Sequence, residues 1–238
     1  HYLIFVLQAL GSLVIGWMLC PDLGQIGQGL VRLMVHPSLL STDYMVVGRN
    51  IGVSFINAGL LMLATLTIYR IVKAKLQGLQ VAALLMVFAY SFYGKNLLNI
   101  WPIVIGVFLE AKLAKKAPDK VAPLAFFAGS LAPLVSVLAF GTPRLIDAPM
   151  YVTLPVGALA GLIAGMLIGK FSGFVGGLHK GTILYNGAMS SGIVGILSNF
   201  FMISVGLGHD RLLNNEFISG QNRLLGMIVA GIALYYLI

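Results

Sequence analysis

The chain has 238 residues and a formal net charge of +8, yet only 9% of its residues are charged, 59% are hydrophobic and the mean hydropathy is +0.97. Water-soluble domains carry about 25% charged residues, so this composition excludes a soluble domain and predicts an integral membrane protein. The basic residues lie in short loops between apolar runs, which fits membrane topology and argues against nucleic-acid binding. A single cysteine, Cys20, excludes an intramolecular disulfide and a multi-cysteine metal site.

Two apolar runs open the chain. Residues 2–20 and 51–69 are each long enough, at about 1.5 Å per residue, to cross a hydrocarbon core of about 30 Å. Between them, Leu30, Leu33 and Met34 recur at helical spacing and predict a short amphipathic helix on the membrane surface.

The next three runs predict interrupted helices. Residues 78–94 and 96–111 are nearly fused, and one helix of roughly 34 residues would extend about 50 Å, too far for a single span. A break at residues 93–96 is therefore predicted. Residues 121–140 are long enough to span but carry Pro133 near their centre, which predicts a broken helix.

The sixth run carries a glycine at every fourth position, and these glycines fall on one helix face. The four residues are Gly157, Gly161, Gly165 and Gly169. Such a ridge lets a neighbouring backbone approach closely. It predicts either a helix-packing surface or the contact face of a homo-oligomer.

Residues 183–205 form a seventh apolar run, and residues 224–238 form a last, shorter one. We expect this last run to be truncated. The chain begins at His1 and is expected to be a fragment or a processed form. The predicted fold is all-α: one integral membrane domain over residues 1–238, a polytopic bundle of about seven or eight membrane segments with one or two broken or re-entrant helices. The loops after the second, fourth and sixth runs hold most of the Lys and Arg residues, so the positive-inside rule places them and the N-terminus in the cytoplasm. The expected location is the cell (inner) membrane.

Two asparagines lie in similar glycine-rich contexts, each near the start of an apolar run. Asn57 follows Gly52, and Asn186 precedes Gly187. An amide can replace the water around an uncharged polar solute, so the pair predicts a polar pathway. The alternative is that each asparagine hydrogen-bonds a neighbouring helix and only stabilises packing.

Polar residues also gather at the two predicted breaks. Lys95, Asn96 and Asn99 lie at the first break, where Lys95 would repel cations or bind an anion in a vestibule or filter. Alternatively, Lys95 reaches lipid headgroups beside an interfacial Trp101. Ser130 lies at the second break, where it would line the pathway or repair a proline kink.

The predicted function is a transporter or channel for a small polar solute. Its predicted lining residues are Asn57, Lys95, Asn96, Asn99, Ser130 and Asn186. A non-catalytic scaffold or complex subunit is the first alternative, and an ion-coupled transporter using Lys95 and Glu110 is the second. The sequence has no catalytic motif and no metal-ligand spacing, so we expect neither an enzyme nor a cofactor or metal. The expected partners are the lipid bilayer, the solute and further copies of the chain.

Several stretches in a fixed order resemble a family of bacterial multi-pass membrane proteins of unknown function. They are Thr42-Asp43-Tyr44, Gly52-Val-Ser-Phe-Ile-Asn57-Ala-Gly59-Leu, Tyr93-Gly94-Lys95-Asn96 with Asn99-Ile-Trp-Pro102-Ile, Ser130-Leu-Ala-Pro133-Leu-Val-Ser136, and His179-Lys-Gly181 with Leu-Tyr185-Asn186. The resemblance covers roughly residues 35–205. It implies that longer members carry a second copy of a similar region.

A second resemblance is to bacterial urea transporters, in which an asparagine-and-glycine motif opens a helix of a narrow pore. It rests on residues 49–61 and 92–100. The Asn-Pro pair of those pore helices is absent here and Lys95 is present, so urea does not follow as the substrate.

Overall fold

A computed structural model describes residues 2–141, 148–178 and 186–207. Within these ranges, five helical segments are long and apolar enough to cross a membrane: Tyr2–Leu19, Ile51–Ile71, Pro118–Phe140, Met150–Gly177 and Asn186–Ser204. The protein is therefore an all-α, multi-pass membrane protein. The predicted total of seven or eight segments is not confirmed, and the last apolar piece, residues 224–238, lies outside the described residues.

Three of the first four helices start at a side chain that caps free backbone N–H groups. Helix α1 (Tyr2–Leu19) is followed by α2 (Leu23–Val35), the predicted amphipathic helix, which Asp22 caps. Asp43 caps the short α3 (Tyr44–Val47), and Asn50 caps α4 (Ile51–Ile71).

The third and fourth apolar runs form two short helices, α5 (Gly78–Tyr90) and α6 (Ile100–Leu113). Their 13 and 14 residues correspond to about 20 Å each, less than a hydrocarbon core. The predicted break is confirmed, but it is longer than residues 93–96 because helical geometry stops at Tyr90 and resumes at Ile100.

The fifth run is also interrupted, as predicted. Helix α7 (Pro118–Ala128) tightens into a 3-10 turn at Gly129–Leu131, and α8 (Ala132–Phe140) follows directly. Pro133 lies in the first turn of α8, where its missing N–H costs little.

The glycine ridge of helix α9 (Met150–Leu178) packs against other helices of the same chain. A Cβ on Gly157 would lie 2.6 Å from the carbonyl oxygen of Val135 in α8, and a Cβ on Gly165 would collide with the backbone of Ile103 in α6. The helix-packing alternative is therefore confirmed. The homo-oligomer stays a prediction, but a face filled by α6 and α8 is not available to a second copy.

Helices α1 and α4 make a similar backbone approach. A Cβ on Gly16 would lie 2.7 Å from the carbonyl oxygen of Gly52, and a Cβ on Gly52 would collide with the carbonyl oxygen of Gly16. Ser12 adds a hydrogen bond from Oγ to the carbonyl oxygen of Phe55 at 2.8 Å.

The largest buried apolar cluster is formed mainly by α4, α5, α6 and α7, and it surrounds the break between α5 and α6. Large apolar side chains are exposed instead along α1, α9 and α10 (Asn186–Ser204), including Trp17, Leu159 and Phe200. These helices are apolar on their outer faces, as lipid contact requires.

Candidate functional site

The break between α5 and α6 gathers several buried polar side chains of the described residues, namely Ser91, Lys95, Asn96 and Asn99. It is positioned by Gly94, whose φ of +65° belongs to the left-handed region that favours glycine. A Cβ on Gly94 would also collide with the carbonyl oxygen of Leu39. The segment before α3 lies against the break here, with Asp43 and Tyr93 paired in an antiparallel bridge.

Asn57, a buried residue of α4, hydrogen-bonds two backbone carbonyl groups at the break that have no helical hydrogen-bond partner. Its Nδ2 donates to the carbonyl oxygen of Ser91 at 2.7 Å and to that of Lys95 at 2.9 Å. Both of its N–H groups are therefore used. Its Oδ1 is buried and has no hydrogen-bond partner among the described residues.

Asn96 and Asn99 form a reciprocal capping box at the start of the turn that leads into α6. The backbone N–H of Asn96 donates to Oδ1 of Asn99, and the backbone N–H of Asn99 donates to Oδ1 of Asn96, both at 2.9 Å. The two residues do not lie on one face of a helix, because residues 96–99 form a turn.

The side-chain amide nitrogens of these two asparagines connect the break to α2, α3 and α8 by hydrogen bonds. Nδ2 of Asn96 donates to the carbonyl oxygen of Leu33 in α2 at 2.7 Å and to the hydroxyl of Tyr44 in α3 at 2.9 Å. Nδ2 of Asn99 donates to the carbonyl oxygen of Gly94 and to Oγ of Ser136 in α8, both at 2.8 Å. All side-chain N–H groups of both asparagines are thus engaged within the protein.

Lys95 is different, because its amino group is buried without a carboxylate partner among the described residues. The side chain is 1% exposed, and Nζ lies 5.3 Å from the ring centroid of Tyr90. A Cβ on Gly129 would lie 3.5 Å from Nζ, so the ammonium points at the interruption between α7 and α8. Among the described residues, no carboxylate pairs with Nζ, and the one ion pair joins Lys116 to Glu110.

The other two predicted residues lie outside this cluster. Ser130 is half-buried beside Gly129, and it is Ser136 that accepts the hydrogen bond from the break. Asn186 lines a separate groove of about 650 Å³ between α5, α7, α9 and α10, together with Lys116 and Lys120. Asn57 does not line this groove, and its hydrogen bonds go to the break between α5 and α6, so the two asparagines that the sequence paired contact different elements.

Glu110 is buried and pairs with Lys116, not with its sequence neighbour Lys112. Nζ of Lys116 lies 3.0 Å from Oε1 of Glu110 and also donates to the carbonyl oxygen of Gly169 at 3.3 Å. The loop between α6 and α7 folds back to make this contact, because the chain turns through a positive φ at Lys115. Through Lys116, Glu110 is therefore linked to Gly169, the last glycine of the ridge on α9.

The predicted lining set did not include three residues that hydrogen-bond at the break: Tyr44 in α3, Ser91 after α5 and Ser136 in α8. The spacing Asn-x-x-Asn at residues 96–99 is that of the capping box Ser/Thr-x-x-Glu/Gln and was the signal that could have shown the role of both asparagines. Among the described residues, no group of three or more His, Cys, Asp or Glu side chains could hold a metal ion.

The comparisons with known proteins identify a family without assigning an activity. Residues 23–204 match the family model described as "Protein of unknown function (DUF1576)". A search of the curated proteins found no match, and a search of the solved structures found none either. The expected bacterial source, the second copy in longer members and the likeness to urea transporters stay predictions. Since the matched region covers most of the chain and contains the whole break between α5 and α6, the chain belongs to the DUF1576 family of proteins of unknown function.

Proposed function

We propose that the protein is a transporter or channel for a small polar solute in the cell (inner) membrane, and that the solute passes the break between α5 and α6. The observation that carries the proposal is the buried amino group of Lys95, which lies between two interrupted helices without a carboxylate partner among the described residues. An ionisable group inside a membrane protein is costly and is kept where it serves a permeating solute or proton.

The broken helices support the same proposal. Non-helical backbone at membrane depth is tolerated where it is buried in protein or lines a water-filled cavity. In secondary transporters, half-helices of this kind meet at the substrate site. Here Oδ1 of Asn57 at the break, and Oγ of Ser54 one turn earlier on α4, are buried polar atoms that make no hydrogen bond within the described residues.

The test is solute uptake by the purified protein in proteoliposomes, with labelled urea, small amides and inorganic anions, against empty vesicles. We expect at least one solute to enter faster than into empty vesicles, and Lys95→Met to abolish most of that flux. Lys112→Met, which removes an exposed lysine from the last turn of α6, should leave the flux unchanged. No flux above empty vesicles for any solute would contradict the proposal.

A scaffold or complex subunit is the second candidate, and one observation favours it. The N–H groups of Asn57, Asn96 and Asn99 are all engaged by the protein itself, as in a rigid structural element. For a scaffold, Lys95→Met should change no flux and should raise the free energy of unfolding, since it removes an unpaired buried charge. The same set of proteoliposomes and variants therefore separates the two functions.

A further inference from the structure

The groove between α5, α7, α9 and α10 has the size of a ligand site. Its volume of about 650 Å³ lies inside the range of about 300 to 1,000 Å³ that such sites span. Helices α5 and α7 each contribute one stripe of side chains to it: Leu79, Ala82 and Met86 from α5, and Lys120, Leu124 and Phe127 from α7. Residues three and four apart share one face of a helix, so both helices run along the groove.

The lining of this groove is basic at one end and apolar further along. Lys120 lies in the first turn of α7, and Lys116 lies just before that helix. Leu124 and Phe127 follow on the same face, and Phe127 is about 10 Å from Lys120 along the helix axis. A ligand that matches the whole groove therefore has an anionic head and an apolar chain.

The basic end has more lysines than carboxylates. Residues 72–77 and 112–120 carry six exposed lysines: Lys73, Lys75, Lys112, Lys115, Lys116 and Lys120. The carboxylates beside them are Glu110, which pairs with Lys116, and Asp119. Lys120 makes no ion pair within the part of the chain that the structure describes. Its charge is thus available to a negatively charged ligand.

The groove lies where a lipid can enter it. Helix α7 belongs to the candidate span Pro118–Phe140, and α10 is a candidate span of its own. Leu79 and Ala82 on α5 are exposed, so the apolar part of the groove is open towards the membrane. The positive-inside rule predicts that its lysine-rich end lies at the cytoplasmic face, where the leaflet contains anionic lipids.

We propose that the groove binds one anionic phospholipid, with an acyl chain along α5 and α7 and its phosphate at Lys120, beside the ion pair of Glu110 and Lys116. Basic pockets between membrane helices on the cytoplasmic side bind anionic head groups. Met86, Leu124 and Phe127 offer the chain apolar contacts. The proposal is independent of transport, because no residue that lines the groove lies between Tyr90 and Ile100.

The experiment is native mass spectrometry of the whole chain in detergent micelles, titrated with one probe at a time. The probes are phosphatidylglycerol, phosphatidylcholine with the same acyl chains, and glycerol phosphate, which is a head group without chains. We expect one saturable site for phosphatidylglycerol with an affinity at least about fivefold higher than that for phosphatidylcholine, since one lysine near a negative lipid surface contributes about this factor. Glycerol phosphate should not bind at the same concentrations.

A pair of lysine variants tests the basic end. Lys120→Gln breaks no ion pair among the described residues and should lower the affinity for phosphatidylglycerol about fivefold. Lys112→Gln is the matched control, because it removes an exposed lysine from the last turn of α6 that does not line the groove. It should leave the affinity unchanged. Equal losses in the two variants would show a diffuse attraction to surface charge and overturn a site at Lys120.

A pair of alanine variants tests the apolar part. Ala82→Phe places a ring in the groove and should weaken the binding of both lipids at least about tenfold. Ala89→Phe is the control, since Ala89 is exposed on the same helix but does not line the groove, and it should change neither affinity. Unchanged lipid binding in Ala82→Phe would contradict an acyl chain in the groove.

Three further outcomes would overturn the proposal: no saturable complex with phosphatidylglycerol, phosphatidylcholine bound as tightly, or glycerol phosphate bound as tightly. A dimer that Ala82→Phe dissociates without any effect on lipid binding would assign the groove to a second copy of the chain instead. Lys95→Met should leave the lipid affinity unchanged, so the absence of solute flux would overturn transport and leave the lipid site standing.

Discussion

The two interruptions, one between α5 and α6 and one between α7 and α8, differ in how far the backbone departs from helical geometry and in how its polar groups are hydrogen-bonded. At the first, the chain leaves helical geometry between Tyr90 and Ile100, and side chains from α4 and the break itself take up the freed groups. At the second, the helix only tightens into a 3-10 turn at Gly129–Leu131 and continues. No side-chain cap is needed there.

The difference shows what a buried asparagine does in an apolar sequence. Backbone groups that are free at membrane depth each cost several kcal/mol unless they are paired, and an amide can pair with both donors and acceptors. Asparagines therefore collect where a helix stops, whereas glycine and proline are sufficient where a helix only bends. Lys95 lies between the two interruptions and belongs to neither hydrogen-bond network.

The largest effect on the free energy of unfolding should come from removing the side chain of Asn57, which hydrogen-bonds two carbonyl groups at the first break. Asn57→Ala leaves the carbonyl oxygens of Ser91 and Lys95 buried and unpaired, so we expect a loss of about 2 to 5 kcal/mol in the free energy of unfolding. The measurement is an SDS titration in mixed micelles. Asn186→Ala is the control, since Oδ1 of Asn186 has no partner among the described residues, and it should change the value by less than about 1 kcal/mol. Equal losses would show that the two asparagines have the same role.

Gly94→Ala should have the next largest effect, because a side chain there is strained by the positive φ and collides with the backbone of Leu39. We expect a loss of about 2 to 4 kcal/mol in the free energy of unfolding. Gly78→Ala, at the start of α5 with open space around its Cβ position, should be neutral. A stable Gly94→Ala variant would mean that the break is less rigid than the hydrogen bonds indicate.

A double-mutant cycle on Asn99→Ala and Ser136→Ala should give a coupling of about 1 kcal/mol, since Nδ2 of Asn99 donates to Oγ of Ser136. The same cycle with Ser130→Ala in place of Ser136→Ala should give additive losses. This pair of cycles separates the serine that contacts the break from the serine that the sequence indicated. Coupling to Ser130 alone would reverse the assignment.

The smallest effect should come from Pro133→Ala at the second interruption. Pro133 lies in the first turn of α8, where proline removes an N–H that has little use, so we expect a change of less than about 1 kcal/mol in the free energy of unfolding. Circular dichroism of the same variant should show no loss of helix. A loss comparable to that of Asn57→Ala would show that both interruptions need specific side chains.

Much of the fold could be predicted from the sequence, because run length and proline position are local properties. The bounds of α1 and α4 and the interruption at Gly129–Leu131 follow the apolar runs closely. The break after α5 was predicted because a fused helix would be too long for the membrane. Its length and the short form of α5 and α6 depend on the tertiary hydrogen bonds of Asn57 and Asn99, which no local pattern contains.

The candidate site was predictable only in part. Lys95, Asn96 and Asn99 do meet at the break, but their different roles depend on which backbone groups lie near them in space. Asn57 and Asn186 share a local context, yet they contact different elements because similar motifs do not fix tertiary neighbours. The glycine ridge was read correctly as a close-packing face, while its partners, α6 and α8, could be identified only from the structure.

Transport past the break between α5 and α6 requires that water and solute reach the position of Lys95. Lys95→Cys in a Cys20→Ala background has a single thiol, because Cys20 is the only cysteine of the chain. A small membrane-impermeant methanethiosulfonate reagent should modify it in intact proteoliposomes, and the transported solute should slow the reaction. Ala83→Cys, in the buried part of α5, should not react. Labelling of position 95 only after unfolding would contradict the pathway through the break.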